Sequence, residues 1–73
     1  MARETIEVPI TGKIISVNVK PGDQVKEDDV LCVLESMKME NPIITTVSGK
    51  VVEVGVKPDQ VVKPGDMIAV IEY

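Results

Sequence analysis

Apolar and polar positions alternate over much of this chain, and nowhere do apolar residues recur at helical spacing. Ile15, Val17 and Val19 alternate with Ser16 and Asn18, a period of two that predicts a half-buried strand. Two continuous apolar runs, Val30-Leu31-Cys32-Val33-Leu34 and Met67-Ile68-Ala69-Val70-Ile71, have the length of strands buried on both sides. Pro21-Gly22-Asp23 and Pro64-Gly65-Asp66 mark turns. Short strands separated by turns, with no helix, predict an all-β chain.

The pattern also repeats. A shift of 37 residues lays Gly12-Lys13-Ile14-Ile15 on Gly49-Lys50-Val51-Val52, and Val17-Asn18-Val19-Lys20-Pro21 on Val54-Gly55-Val56-Lys57-Pro58. Val25-Lys26 meets Val62-Lys63, and Asp29, Val33 and Glu35 meet Asp66, Val70 and Glu72. The match runs without a gap from Ile6 to Glu35 against Ile43 to Glu72, with about a dozen identities. Two similar all-β halves predict a small sandwich or flattened barrel with pseudo-two-fold symmetry. The halves exchange glycine and aspartate twice: Gly22 is matched by Asp59, and Asp28 by Gly65. Both residue types tolerate a left-handed backbone, so these positions read as turn chemistry.

Between the copies lies Glu35-Ser36-Met37-Lys38-Met39-Glu40-Asn41-Pro42. The chain must turn here to enter the second half. A tight hairpin turn needs positive φ, usually from Gly, Asn or Asp, and Met37-Lys38 offers none of these. The turn could instead fall at Glu40-Asn41-Pro42, which has better turn chemistry, leaving Lys38 an ordinary strand lysine and Met37 and Met39 core filler. The repeat favours the first reading, because Ile43 pairs with Ile6 and Ser36 to Asn41 becomes the linker between copies. Two long side chains at such a turn are a local misfit, and misfits of that kind mark function. A lysine at the tip of the linker projects away from both halves, where a second enzyme can acylate it. A primary amine is mostly protonated at neutral pH, so that enzyme must supply the activated acyl group and a base.

Composition narrows the alternatives. With 73 residues the chain, taken as one domain over 1–73, has a modest core. That core is built from Val and Ile, since Tyr73 is the only aromatic residue. The formal charge of −4 argues against a nucleic-acid partner and a polybasic membrane anchor. The apolar runs are far shorter than a membrane span, which leaves the cytoplasm as the expected location. There is no His, and Cys32 is the single cysteine, inside an apolar run. A nucleophile–base pair cannot be assembled, the carboxylates read as a solvated surface, and Cys32 reads as a small buried hydrophobe. A carrier or binding module fits better than a catalyst.

At Met37-Lys38-Met39, preceded by Glu35-Ser36, the sequence resembles the biotinyl domains of biotin-dependent carboxylases and decarboxylases, within the biotin/lipoyl attachment family. The resemblance covers about Thr5 to Glu72. Ser36 stands where the family often has Ala, and Asp28 replaces a usual Gly. The stretch Pro21-Gly22-Asp23-Gln24-Val25 looks like the family's turn ahead of the modified hairpin. The resemblance implies a flattened β-barrel or barrel-sandwich hybrid, the hammerhead, made of two four-stranded antiparallel sheets. It implies biotin in amide linkage to Lys38. It gives Met37 and Met39, with Glu35, Ser36 and Glu40, a role in recognition by biotin protein ligase. It further implies a separate biotin carboxylase that loads carboxylate from bicarbonate and ATP. A carboxyltransferase then passes the carboxylate to or from an acyl-CoA or keto acid. The inserted thumb of some members has no room between Pro21 and Gln24. A free-standing carrier subunit and a domain of a longer protein are both compatible with the sequence.

Two other readings compete. A lipoyl carrier domain of a 2-oxo acid dehydrogenase complex shares the expected fold and hairpin lysine, but typically has Asp before that lysine and often Ala after it. An unmodified lipoyl-like hairpin of a membrane-fusion adaptor has no need of Met-Lys-Met and sits within long helices.

Overall fold

Four turns of one design punctuate the chain. In the computed structural model, which describes Met1–Tyr73, they occupy Lys20–Asp23, Lys26–Asp29, Lys57–Gln60 and Lys63–Asp66. In each, the fourth residue's N–H donates to the lysine carbonyl, at 3.1, 2.9, 3.2 and 3.1 Å in chain order. The lysine N–H in turn donates to the fourth residue's side-chain oxygen, at 2.9, 2.8, 3.0 and 3.0 Å. Asp23, Asp29 and Asp66 are therefore carboxylates that close turns. The third residue always has positive φ: Gly22 at 98°, Asp28 at 76°, Asp59 at 71° and Gly65 at 95°. A positive φ at this position is what a type II turn requires. The Gly–Asp exchanges seen in the sequence thus fall on four copies of one backbone geometry.

The turns separate eight strands: β1 Arg3–Glu7, β2 Gly12–Val17, β3 Gln24–Val25, β4 Val30–Ser36, β5 Met39–Ile44, β6 Gly49–Val54, β7 Val61–Val62 and β8 Met67–Glu72. They form two four-stranded sheets ordered β1-β8-β6-β3 and β5-β4-β2-β7, with every pairing antiparallel. This is the expected pair of sheets in a pseudo-two-fold arrangement, but they do not close into a barrel. Each sheet takes two strands from each sequence repeat, so neither repeat is a sheet by itself. The halves hold each other through backbone hydrogen bonds. Ile14 exchanges bonds with Asp59 and Gln60, and Val51 exchanges the matching bonds with Gly22 and Asp23, all at 2.7 to 2.8 Å.

β-Bulges correct two details of the simple pattern. In β2 the register steps from Ile14↔Leu34 to Ser16↔Val33, leaving Ile15 as the extra residue. Alternation therefore breaks at the bulge, and Ile14 is buried while Ile15 is exposed. The strand also ends at Val17, so Val19 packs on the core from the following segment. The partner repeat steps in the same way, from Val51↔Ile71 to Glu53↔Val70 around Val52. A second matched pair of bulges lies at Leu31 and Ile68. These bulges turn the neighbours Leu31 and Cys32, and likewise Ile68 and Ala69, inward together, and all four are buried. The apolar runs thus do not mark strands buried on both sides. Val33 and Val70 are only half-buried and Val30 is exposed.

The core holds Ile14, Leu31, Leu34, Val51, Val62, Ile68 and Ile71, all at 1% exposure or less. Thr45 is its one buried polar residue, and its hydroxyl donates to the Val47 carbonyl at 2.7 Å. That bond offsets the cost of taking the hydroxyl out of water. No helix is long and apolar enough to cross a membrane.

Cys32 is fully buried, and burial pushes its thiol up from 9.0 to about 11. The cause is the poor solvation of a thiolate in the core. This has a consequence for stability. Below pH 9 the thiol is protonated in folded and unfolded chains alike, and the contribution is complete. Between pH 9 and about 11 only the unfolded chain releases the proton, so stability falls as pH rises. The expected loss is up to roughly 2–3 kcal/mol by the linkage relation. Denaturant titrations from pH 7 to 11 should show this fall in the wild type and a shallower one in Cys32→Ala. Equal slopes would mean that the thiol is not held neutral in the folded state.

Candidate functional site

β4 and β5 are joined by two residues only. Ser36 pairs with Met39, Glu35 with Glu40 and Leu34 with Asn41, so Met37 and Lys38 alone make the turn. The turn does not fall at Glu40-Asn41-Pro42, and the linker is shorter than Ser36–Asn41. Asn41 and Pro42 lie inside β5, an edge strand, where a proline is tolerated. Met37 has φ 54° and Lys38 φ 64°. Two consecutive positive φ values are the signature of a type I′ hairpin, whose twist matches that of the flanking strands. Neither residue type favours that backbone, so the misfit read from the sequence is present in the structure.

Both side chains point into solvent. Lys38 is exposed, Met37 is 91% exposed and Met39 is 66% exposed. Neither methionine is core filler. The strand register brings Glu35, Ser36, Met39 and Glu40 to the same tip, with Glu35 and Glu40 exposed and Ser36 half-buried. Asn41 braces the base, its side-chain amide donating to the carbonyls of Met39 at 3.2 Å and Leu34 at 3.4 Å. Gly12 adds a second constraint. A Cβ there would overlap the Glu35 carbonyl oxygen, so β2 and β4 approach in a way only glycine permits. Sequence reasoning missed the roles of both Asn41 and Gly12. The identity of Gly12 with Gly49 across the repeat was the available signal for the second.

The pseudo-dyad supplies an internal comparison. The position equivalent to the hairpin is where the chain ends. Ala2 and Tyr73 exchange backbone hydrogen bonds of 3.0 and 2.9 Å, matching the Ser36–Met39 pair. Met37 and Lys38 join the two copies, and the shift that lays Met39 on Ala2 lays Lys38 on Met1. One pair inward, the two ends differ in charge. At the terminal end Arg3 pairs with Glu72, with 3.3 Å between Nε and Oε2. At the hairpin the equivalent pair is Glu40 opposite Glu35, two like charges that oppose pairing. The lysine end therefore carries an unfavourable cross-strand pair that the other end avoids.

The arrangement presents one primary amine on a short, braced hairpin, flanked by two flexible apolar side chains and two carboxylates. An exposed amine on a fixed tip suits covalent acylation by a second protein.

A family model described as biotin-requiring enzyme matches residues 4–71. The gamma subunit of glutaconyl-CoA decarboxylase from Acidaminococcus fermentans is 60% identical over 40 residues, covering 55% of this chain and 28% of that protein. The gamma subunit of methylmalonyl-CoA decarboxylase from Veillonella parvula is 50% identical over 40 residues, covering 55% of this chain and 31% of the relative. Among solved structures, the urea carboxylase of Kluyveromyces lactis superposes with a TM-score of 0.89 at 32% identity, covering 99% of this chain and 6% of that one. A single-chain, multi-domain long-chain acyl-CoA carboxylase superposes with a TM-score of 0.87 at 29% identity, covering 93% of this chain and 7% of that one. The chain thus spans less than a third of the length of these relatives. It corresponds to a small carrier part rather than to a catalytic domain. It belongs to the biotin-requiring enzyme family, as an attachment domain of the kind that holds biotin or a lipoyl group covalently.

Proposed function

We propose that this domain is a biotin carboxyl carrier and that Lys38 Nζ is the acceptor. The observation that carries the reading is the exposed lysine at a strained two-residue tip, with Met37 and Met39 on either side. The residues fit the group. An amide needs a free primary amine that a ligase can reach, and Lys38 offers one clear of both sheets. In the attachment step Nζ forms a bond to the activated acyl carbon held by biotin protein ligase. The bond from that carbon to its leaving group breaks, and the amine gives up its protons to a base on the ligase. Lys38 loses its charge, and the formal charge moves from −4 to −5.

Each residue of the tip has a part in this step. Met37 and Met39 give the ligase an apolar contact on both sides of the amine. Glu35, Ser36 and Glu40 form the polar base on which the ligase takes its bearing. Asn41 and Gly12 hold the hairpin in register. When bound, biotin supplies a ring nitrogen that accepts and releases a carboxyl group. The domain tethers that chemistry, raising its local concentration at a biotin carboxylase and then at a carboxyltransferase. An acyl-CoA carboxylase or decarboxylase assembly in the cytoplasm is the proposed setting.

The test is expression with a biotin protein ligase, followed by streptavidin detection and intact mass. Wild type should gain one biotin and Lys38→Arg none. An undiminished signal from Lys38→Arg would refute the assignment. A lipoyl mass on the wild type would move the protein to the lipoyl carriers.

A further inference from the structure

The chain has four methionines, and three of them are exposed. Met67 is half-buried, its thioether packed against Gly55. Met1 is 99% exposed at the terminal end of the molecule. Met37 and Met39 are 91% and 66% exposed and flank the lysine. That exposure leaves the sulfur atoms of Met37 and Met39 open to oxidants, because thioether oxidation requires access to sulfur.

We propose that Met37 and Met39 form an oxidation-sensitive site that controls the loading of Lys38. The inference rests on the carrier reading above, in which these side chains frame the acceptor. The oxidant is a hydroperoxide. A sulfur lone pair takes one oxygen, an S–O bond forms, the O–O bond breaks, and hydrogen peroxide leaves as water. Sulfur loses two electrons and the peroxide gains them. The product is a polar, chiral sulfoxide in place of a flexible apolar side chain. Neither methionine supports the core, so the fold survives the change. An apolar ligase contact does not, because it must then desolvate an S=O dipole. The bond at sulfur is reversible by methionine sulfoxide reductases, which makes the site a switch rather than a lesion.

The experiment treats the intact chain with hydrogen peroxide and follows it by peptide mass spectrometry, thermal unfolding and biotin loading. Sulfoxide should form on Met37 and Met39 well before Met67, with the unfolding midpoint unchanged. Loading should slow by about tenfold or more, the scale set by burying an unpaired polar group. Methionine sulfoxide reductase should restore it. Met37→Leu/Met39→Leu, compared with itself before and after peroxide, should lose nothing, although Met1 is still oxidised. Equal loading of reduced and oxidised wild type would overturn the proposal, as would equal oxidation of Met67. If the reduced wild type takes no biotin at all, the carrier reading and this proposal fall together. That result differs from equal loading of both forms, in which the proposal fails alone.

Discussion

Gly12→Ala is expected to destabilise the domain by about 3 kcal/mol, and Gly49→Ala by a similar amount. Neither glycine is needed for a turn or a positive φ. Each sits at the start of a strand where a neighbouring backbone comes too close for a side chain. A Cβ on Gly12 would overlap the Glu35 carbonyl oxygen, and its next contact would be Leu34 Cδ1 at 2.9 Å. On Gly49 it would overlap the Glu72 carbonyl oxygen, with Ile71 Cγ2 at 3.0 Å. The leucine and isoleucine tips can shift. The carbonyls cannot, because moving them pulls β4 away from β2, or β8 away from β6. For a domain this small the loss corresponds to a fall in midpoint of roughly 12–24 °C.

The two variants should part company in function. Gly12 presses on Glu35, two residues before the hairpin, whereas Gly49 presses on Glu72 at the chain-terminal end. Biotin loading measured well below both midpoints should slow in Gly12→Ala and stay near wild type in Gly49→Ala. Equal stability losses with unequal loading would show that the hairpin's register matters separately from the fold. A drop of less than about 1 kcal/mol in both would mean that the strands can separate at low cost.

The strand content and the repeat were legible because both are one-dimensional. Pro-Gly-Asp punctuation and a constant shift survive in the sequence without knowledge of partners. The Gly22–Asp59 and Asp28–Gly65 exchanges even conveyed backbone geometry, since only residues tolerant of positive φ recur there. The inward positions were less legible. Bulges at Ile15, Val52, Leu31 and Ile68 shift the phase within a strand, and nothing in a single strand's pattern announces where its partner skips a residue. The interleaving of the repeats was hidden for a similar reason, because strand order is set by pairing and not by sequence. At the candidate site the misfit at Met37-Lys38 was visible. The brace by Asn41 and the close approach at Gly12 were not, because each depends on which carbonyl lies opposite.

The same misfit leads to the second large effect, a gain of stability at the expense of function. Met37→Asn/Lys38→Gly is expected to stabilise the domain by about 1–2 kcal/mol. The hairpin already has the two-residue type I′ form, with φ 54° and 64° at its centre. Holding L-residues with long side chains there costs about 1–2 kcal/mol each. Asn-Gly is the pair that this backbone favours. Part of the gain is offset by the extra freedom that Gly brings to the unfolded chain. The net rise in midpoint should be roughly 5–15 °C. Loading falls to zero because the acceptor amine is gone. Met37→Asn alone separates the two effects: it should recover part of the stability, keep Lys38, and load more slowly for want of one apolar flank. An unchanged or lower midpoint in the double variant would mean that the tip is not strained. The strain would then no longer count as a reason for placing function there. A raised midpoint would show that the sequence at this turn is kept for what it presents, since a more stable turn was one pair of substitutions away.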